Sequence, residues 1–302
     1  MKAISLNSKR SRDSSSRSDN AVGKLILLGT PIGNLSDLSQ RAIQVLAEAD
    51  VIAAEDTRRL RILLSHCRIE SKNIISIDAN KEAQMSSKVI ELITSGKTVV
   101  YTTDAGMPGI SDPGSELINA VAKAGLPVDA VPGPSASILA ASLSGLCERG
   151  FLFVGFLPVK PGPRKKSLET LSSSGFASIV FESPKRMEQT LRDVSEIYGG
   201  EHPVFVGREL TKMHQEIFFG TASGASDHFG GTSQRGEFVM VLGAKAVDES
   251  GSQGIRVLEL VIEALSGPVA GTRAVAEELS VITGVGKNRI YNMLIQAQGR
   301  GS

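Results

Sequence analysis

Four carboxylates in this sequence stand close to a fixed positive charge, a pairing that can take up a proton or steady a forming anion. Glu55 and Asp56 precede Arg58, Glu182 precedes Arg186, and Glu209 lies between Arg208 and Lys212. A carboxylate so placed can serve as a general base, and guanidinium or ammonium groups can stabilise an oxyanion or grip phosphate. Structural ion pairs have the same spacing, so both readings stay open at this point. Three other stretches carry bent backbone in place of charge: Thr30-Pro31-Ile32-Gly33-Asn34-Leu35-Ser36-Asp37, Asp104-Ala105-Gly106-Met107-Pro108-Gly109-Ile110-Ser111-Asp112-Pro113-Gly114, and Val131-Pro132-Gly133-Pro134-Ser135-Ala136. Gly admits positive φ and Pro has no N–H, so such stretches form neither strand nor helix and leave amides free to face a ligand. A single loop of this kind is equally well an ordinary surface turn; three of them change the odds.

The elements that must position these loops follow from the apolar pattern. Lys24 to Leu28 ends at Gly29, Lys97 to Tyr101 feeds the central loop, and Pro127 to Val131 feeds the third. The first is a continuous apolar run of the type buried on both faces of a parallel sheet, and the other two read as strands of the same alternation. The segments between them, Leu38 to Leu46, the helix opened by Glu55-Asp56-Thr57-Arg58-Arg59, Lys81 to Thr94 and Glu116 to Ala124, have helical spacing. The alternation predicts an α/β domain whose three special loops fall on one carboxyl edge, where ligands bind in such sheets. A restart near Cys147 predicts a second α/β domain: strands at Phe151–Phe156, Ser178–Glu182, Pro203–Arg208, Gln215–Gly220 and Glu237–Gly243, the last ones antiparallel in look, and helices at Pro161–Ser172, Pro184–Tyr198 and Ala222–Phe229. The expected organisation is a disordered tail at 1–23, domains at 24–147 and 148–246, a Gly/Ser-rich linker at 249–254, and a helical appendage at 254–298 whose Thr283–Arg289 turn is either a nucleic-acid-binding unit or a plain cap.

Composition narrows the class. The 302 residues have a net charge of +1, so any polyanion must be held by local basic patches. No window reaches the roughly 20 apolar residues of a membrane span, which predicts a soluble protein. Cys67 and Cys147 are the only cysteines, and the four histidines lack ligand spacing, so no metal is expected and a cytoplasmic setting fits. The first twenty residues hold seven serines and five basic residues but no apolar h-region. Ser95-Gly96-Lys97-Thr98 imitates the end of a phosphate-binding loop, yet Glu91 stands where its first glycine belongs, and the segment runs from helix into strand.

Taken in order, the three loops together with Ala54-Glu55-Asp56-Thr57-Arg58, Glu182-Ser183-Pro184 and Arg208-Glu209-Leu210-Thr211-Lys212 resemble the tetrapyrrole methylase superfamily, in its branch that methylates the 2'-hydroxyl of a cytidine ribose in 16S ribosomal RNA. The resemblance spans about residues 24 to 243. It implies two α/β domains with S-adenosylmethionine in the cleft between them, a homodimer, and the small ribosomal subunit as partner. It assigns Thr30, Pro31, Gly33, Asp104, Ala105, Gly106, Pro108, Pro132, Gly133, Ser135, Ala136, Glu182, Ser183 and Pro184 to the cofactor. Arg208 and Glu209 are the candidates for chemistry, and Arg58, Arg59, Arg61, Arg164, Lys165, Lys166, Lys185 and Arg186 for the RNA backbone. The chain departs from that branch at Ile77-Asp78-Ala79, where His-Glu-His is usual before Asn80, at Lys185 in place of His, and at Met107 and Gly109, where Thr and Leu are common. A methylase of a tetrapyrrole precursor and a non-catalytic ribosome-assembly factor are the alternatives.

Overall fold

A computed structural model describes residues 22–70, 72–77, 82–148, 150–230, 235–245, 272–283 and 286–299. The expected tail up to residue 21, the linker, the expected appendage up to residue 271, Asp78-Ala79-Asn80 and residues 284–285 of the late turn lie outside them. The chain folds as two compact units, one holding residues up to Thr30 and Leu38–Gly133, the other Pro31–Asp37 and everything from Pro134 on.

The first unit is built on a parallel sheet of β1 (Lys24–Leu28), β2 (Val51–Ala54), β3 (Ile74–Ser76), β4 (Thr98–Thr102) and β5 (Val128–Val131), in the order β3-β2-β4-β1-β5. Leu25, Val51, Ala53, Val99 and Tyr101 form its core with Val89, Ile93, Leu117 and Val121 from the helices α3 (Glu82–Thr94) and α4 (Ser115–Lys123). Helix starts are set by side chains, as orphan N–H groups require. Ser39 accepts from Ala42 N–H to open α1 (Gln40–Glu48), and Asp56 accepts from Arg58 N–H to open α2 (Thr57–His66). The first residue before α4 is Gly114, which has no side chain to cap with, and the buried Glu82 of α3 supplies the acceptor by taking Leu117 N–H at 2.8 Å. Gly96, at φ 87°, closes α3 and leads into β4, so the phosphate-loop look-alike is a helix C-terminus.

The second unit holds a mixed sheet, β6-β7-β10-β8-β9, in which only β6 (Phe151–Phe156) and β7 (Ala177–Glu182) run parallel. β8 (Pro203–Arg208), β9 (Glu216–Thr221) and β10 (Phe238–Leu242) pair antiparallel. Helices α6 (Pro161–Ser172), α7 (Met187–Tyr198) and α8 (Ala222–Phe229) cover one face with Leu168, Leu191, Val194 and Phe229. On the other face lies α5 (Ala136–Ser144), whose Ala140 packs with Ile179, Phe205 and Val239. The sequence places the boundary near residue 147, but contacts put α5 in the second unit. Its small residues let the helix sit flush on the sheet. The helices α9 (Thr272–Thr283) and α10 (Lys287–Gly299) share a core of their own made of Ala276, Ile290 and Leu294.

Candidate functional site

β4, β1 and β5 are immediate neighbours and parallel, so the three Gly/Pro loops leave the same edge of the first sheet side by side. They are also tied together. Thr30 N–H donates to Gly106 O at 2.9 Å and Gly106 N–H returns to Thr30 O at 3.1 Å, while the Thr30 hydroxyl donates to Thr103 O at 3.1 Å. A Cβ added to Gly29 would stand 2.6 Å from Gly133 Cα and 2.6 Å from Met107 Sδ, so the three loops touch through bare backbone at that point. Within the central loop Gly106, Gly109, Ser111 and Gly114 all take positive φ, at 79°, 81°, 62° and 137°. Gly109 therefore has a conformation that a leucine would adopt only under strain. Thr30, Asp104, Ala105, Gly106, Pro108, Pro132 and Gly133 are thus gathered on one edge. It is a cradle of amides and carbonyls with a buried, unpartnered Thr103 hydroxyl among the described residues, and it suits a polar nucleoside such as S-adenosylmethionine.

Charge is concentrated at the neighbouring strand end. Register pairs Ala54 with Thr102, which sets Glu55 beside the start of the central loop. Asp104 N–H donates to Glu55 Oε2 at 3.5 Å, and Arg59 Nε lies 3.3 Å from Asp104 Oδ2. Burial pushes the Glu55 carboxyl above its ordinary range and repulsion from Asp104 adds to this, outweighing the Asp104 amide and Arg59. Asp56 behaves oppositely: hydrogen bonds from the Arg58 side chain and amide hold it well below the usual carboxylate range. Arg58, Arg59 and Arg61 are exposed on α2, the first two paired to Asp56 and Asp104.

In the second unit the loop Pro31–Asp37 lies against the turn after β8. A Cβ at Gly33 would meet Lys212 Cγ at 2.5 Å and the Thr211 hydroxyl at 2.6 Å. That turn is strained, with Glu209 and Thr211 at φ 50° and 67°. Together with Ser111, they are three of the four non-glycine residues with positive φ among the described residues. Arg208 and Glu209 diverge. Arg208 donates to Arg235 O at 2.8 Å and to Glu216 Oε2 at 3.0 Å. Glu209 Oε1 accepts from Lys212 at 2.7 Å and from Glu237 N–H at 2.9 Å, and these bonds outweigh burial and hold its carboxyl below the usual range. Ser135 stands at the start of α5, with its hydroxyl 3.0 Å from that of Ser137, and Ala136 follows in the first turn.

Several expectations need correction. Arg164 is 2% exposed and its Nε donates to the buried Asp193 at 2.7 Å, so it anchors α6 to α7 and is out of reach of a phosphate. Arg186 spends all three nitrogens inside the unit, on Ser183 Oγ, Leu157 O and Glu182 Oε1. Glu182, 1% exposed, also takes the Thr190 hydroxyl at 2.7 Å and Ser183 N–H at 2.7 Å, so its carboxylate braces the start of α7 and is spent within the unit, while Ser183 and Pro184 beside it are half-buried. Lys166 and Lys185 are exposed, and Lys165 pairs with Glu196 at 2.6 Å. The sequence reading missed the Glu82 cap on α4, for which nothing in the 35 residues of separation gives a signal.

Comparison with known proteins gives this geometry its context. The family model of the Tetrapyrrole (Corrin/Porphyrin) Methylases matches residues 24–225. A ribosomal RNA small subunit methyltransferase I from Thermotoga maritima is 44% identical over 224 residues, 74% of this chain and all of that one. Its counterpart from Mesorhizobium japonicum is 37% identical over 90% of this chain and 91% of its own. The chain belongs to the tetrapyrrole methylases, in the small subunit methyltransferase I branch. Among solved tetrapyrrole methylases, a cobalt precorrin-4 methyltransferase superposes with a TM-score of 0.56 at 18% identity, covering 73% of this chain and 94% of that one. Uroporphyrin-III C-methyltransferase from Thermus thermophilus, solved with S-adenosyl homocysteine, gives 0.52 at 17% identity over 72% and 97%. Two α/β units, one sheet parallel and the other mixed, are the shared tetrapyrrole methylase fold.

Proposed function

We propose that this chain transfers a methyl group from S-adenosylmethionine to the ribose 2'-hydroxyl of a cytidine in 16S ribosomal RNA of the small subunit, in the cytoplasm and as a homodimer. The observation that carries this reading is the identity of 33–44% to enzymes named ribosomal RNA small subunit methyltransferase I, against 14–20% to the solved small-molecule and diphthine enzymes of the same fold. Intact loops and a close-packed Gly29–Gly133 contact favour an active enzyme over a binding factor that merely keeps the fold. When bound, S-adenosylmethionine supplies a methyl group already activated by the sulfonium.

The chain's own residues then have to hold the donor, align the hydroxyl, exclude water and receive a proton. Thr30, Pro31, Gly33, Asp104, Ala105, Gly106, Pro108, Pro132, Gly133, Ser135 and Ala136 hold the donor. Arg58, Arg59, Arg61, Lys165, Lys166 and Lys185 meet the phosphates, with stacking secondary in a chain that has no tryptophan. The test is methyl transfer from labelled S-adenosylmethionine to small subunits isolated from cells lacking the enzyme, with the site read by ribose-methylation-sensitive cleavage. Transfer to a tetrapyrrole precursor and not to RNA overturns the reading.

A further inference from the structure

Of the four carboxylates singled out in the sequence as proton acceptors, Glu55, Asp56, Glu182 and Glu209, the structure removes three. Glu182 is 1% exposed and fully bonded within its own unit. Glu209 is held by Lys212 and by Glu237 N–H. Asp56 caps α2 and is clasped by the Arg58 side chain, at 3.1 and 3.2 Å from Nε and 2.7 Å from Nη2.

Glu55 differs. It leaves β2 on the same sheet edge as the cofactor loops, and the one hydrogen bond to its carboxylate among the described residues comes from Asp104 N–H at a long 3.5 Å. The nearby guanidinium of Arg59 reaches Asp104 instead. The Arg59 charge is thus taken up at Asp104, and the Glu55 carboxylate has no ion-pair partner among the described residues.

We infer that Glu55 is the general base that accepts the 2'-hydroxyl proton, with Asp104, held by Arg59, as its neighbour on the sheet edge. This rests on the RNA methylation reading above. The 2'-O–H bond breaks and its proton passes to the Glu55 carboxylate. The oxygen lone pair forms the new O–CH3 bond, and the S–CH3 bond breaks with its electron pair remaining on sulfur. Glu55 then releases the proton to water. The raised Glu55 carboxyl suits this work, because a stronger base removes a hydroxyl proton more readily. The groups that face Glu55 are Asp104 from the central loop, Arg59 and Asp56 from the start of α2, and Tyr101 from β4.

The experiment is single-turnover methylation of small subunits as a function of pH, with calorimetry of S-adenosylmethionine on the same proteins and a 13C-carboxyl NMR titration of Glu55 in the cofactor-free chain. Glu55→Gln should slow the transfer at least about a hundredfold and abolish the acid-limb inflection, leaving cofactor affinity within about twofold of wild type. Glu55→Asp should restore part of the rate. The NMR midpoint should lie above that of ordinary glutamates and fall in Asp104→Asn. Wild-type rate in Glu55→Gln, loss of cofactor binding in it, or an ordinary midpoint would each overturn the assignment. If the wild type itself methylates no RNA, the functional reading fails while the NMR titration still decides whether Glu55 is the perturbed carboxylate.

Discussion

At the scale of single residues, Glu55 and Glu209 illustrate how the same side chain acquires opposite properties. Glu55 is desolvated beside another carboxylate, so its folded pKa is raised. Stability from this group is present at low pH and is lost as pH rises from the unfolded value through the folded one. At pH 7 the ionised Glu55 is a burden, and Glu55→Gln should melt no lower than wild type and by preference higher, even as it loses activity. Glu209 is lowered, so its contribution is present above the unfolded value and is lost as pH falls through the folded one. Glu209→Gln should therefore lower the melting temperature at pH 7, with the deficit shrinking below about pH 4. Melts at both pH values check the pair, and matching shifts in the two variants would refute it. The sequence points to all four carboxylates through their cationic neighbours. It does not say which one is free, because the deciding partners are remote: Glu237 lies 28 residues from Glu209, and Asp104 lies 49 from Glu55.

At the scale of elements, strands β1 and β4 are legible in the sequence, β1 as a continuous apolar run because a parallel strand covered on both faces has no reason to alternate. The loops after them are legible because Gly and Pro mark where chain direction must change. The meeting of those loops is not. It depends on the order β4-β1-β5, which brings strands a hundred residues apart in the chain side by side. This contact gives a direct test. Gly133→Ala places a methyl 2.6 Å from Gly29 backbone, which must shift. Overpacking of this kind costs about 1–3 kcal/mol, and the variant should melt several degrees lower and bind S-adenosylmethionine at least tenfold more weakly. Unchanged calorimetric affinity would separate the third loop from the cofactor. Helix α2 carries the RNA prediction. Arg58 is 84% exposed and lies on the helix that Glu55 precedes. Arg58→Ala should weaken RNA binding at all sequences and reduce the slope of log affinity against log salt by about 1, with cofactor affinity unchanged. Removing Arg58 also frees Asp56, so Arg58→Lys, which keeps the charge, should recover most of the binding.

At the scale of the whole molecule, the two sheets and the terminal helices answer to different constraints. Each sheet has a core drawn from its own strands and covering helices, whereas among the described residues α9 and α10 enclose Ala276, Ile290 and Leu294, with Val275, Leu279 and Met293 around them. No side chain of either sheet core takes part in that small cluster. The match to the Thermotoga maritima relative takes in all of that protein but 74% of this chain, so part of this chain has no counterpart there. A chain ending at residue 245 should therefore fold, melt within a few degrees of the full chain, and bind S-adenosylmethionine within about twofold. Any loss should appear in the affinity for small subunits, because α10 exposes Asn288 and Arg289 at its first turn, where a phosphate contact would be made. Calorimetry and filter binding on the two chains distinguish the outcomes. If the shortened chain loses cofactor binding or unfolds, the helices belong to the architecture of the cofactor domain. If it also keeps full affinity for the subunit, the terminal pair contributes to neither, and the basic surface of α2 with Lys165, Lys166 and Lys185 is left to hold the RNA.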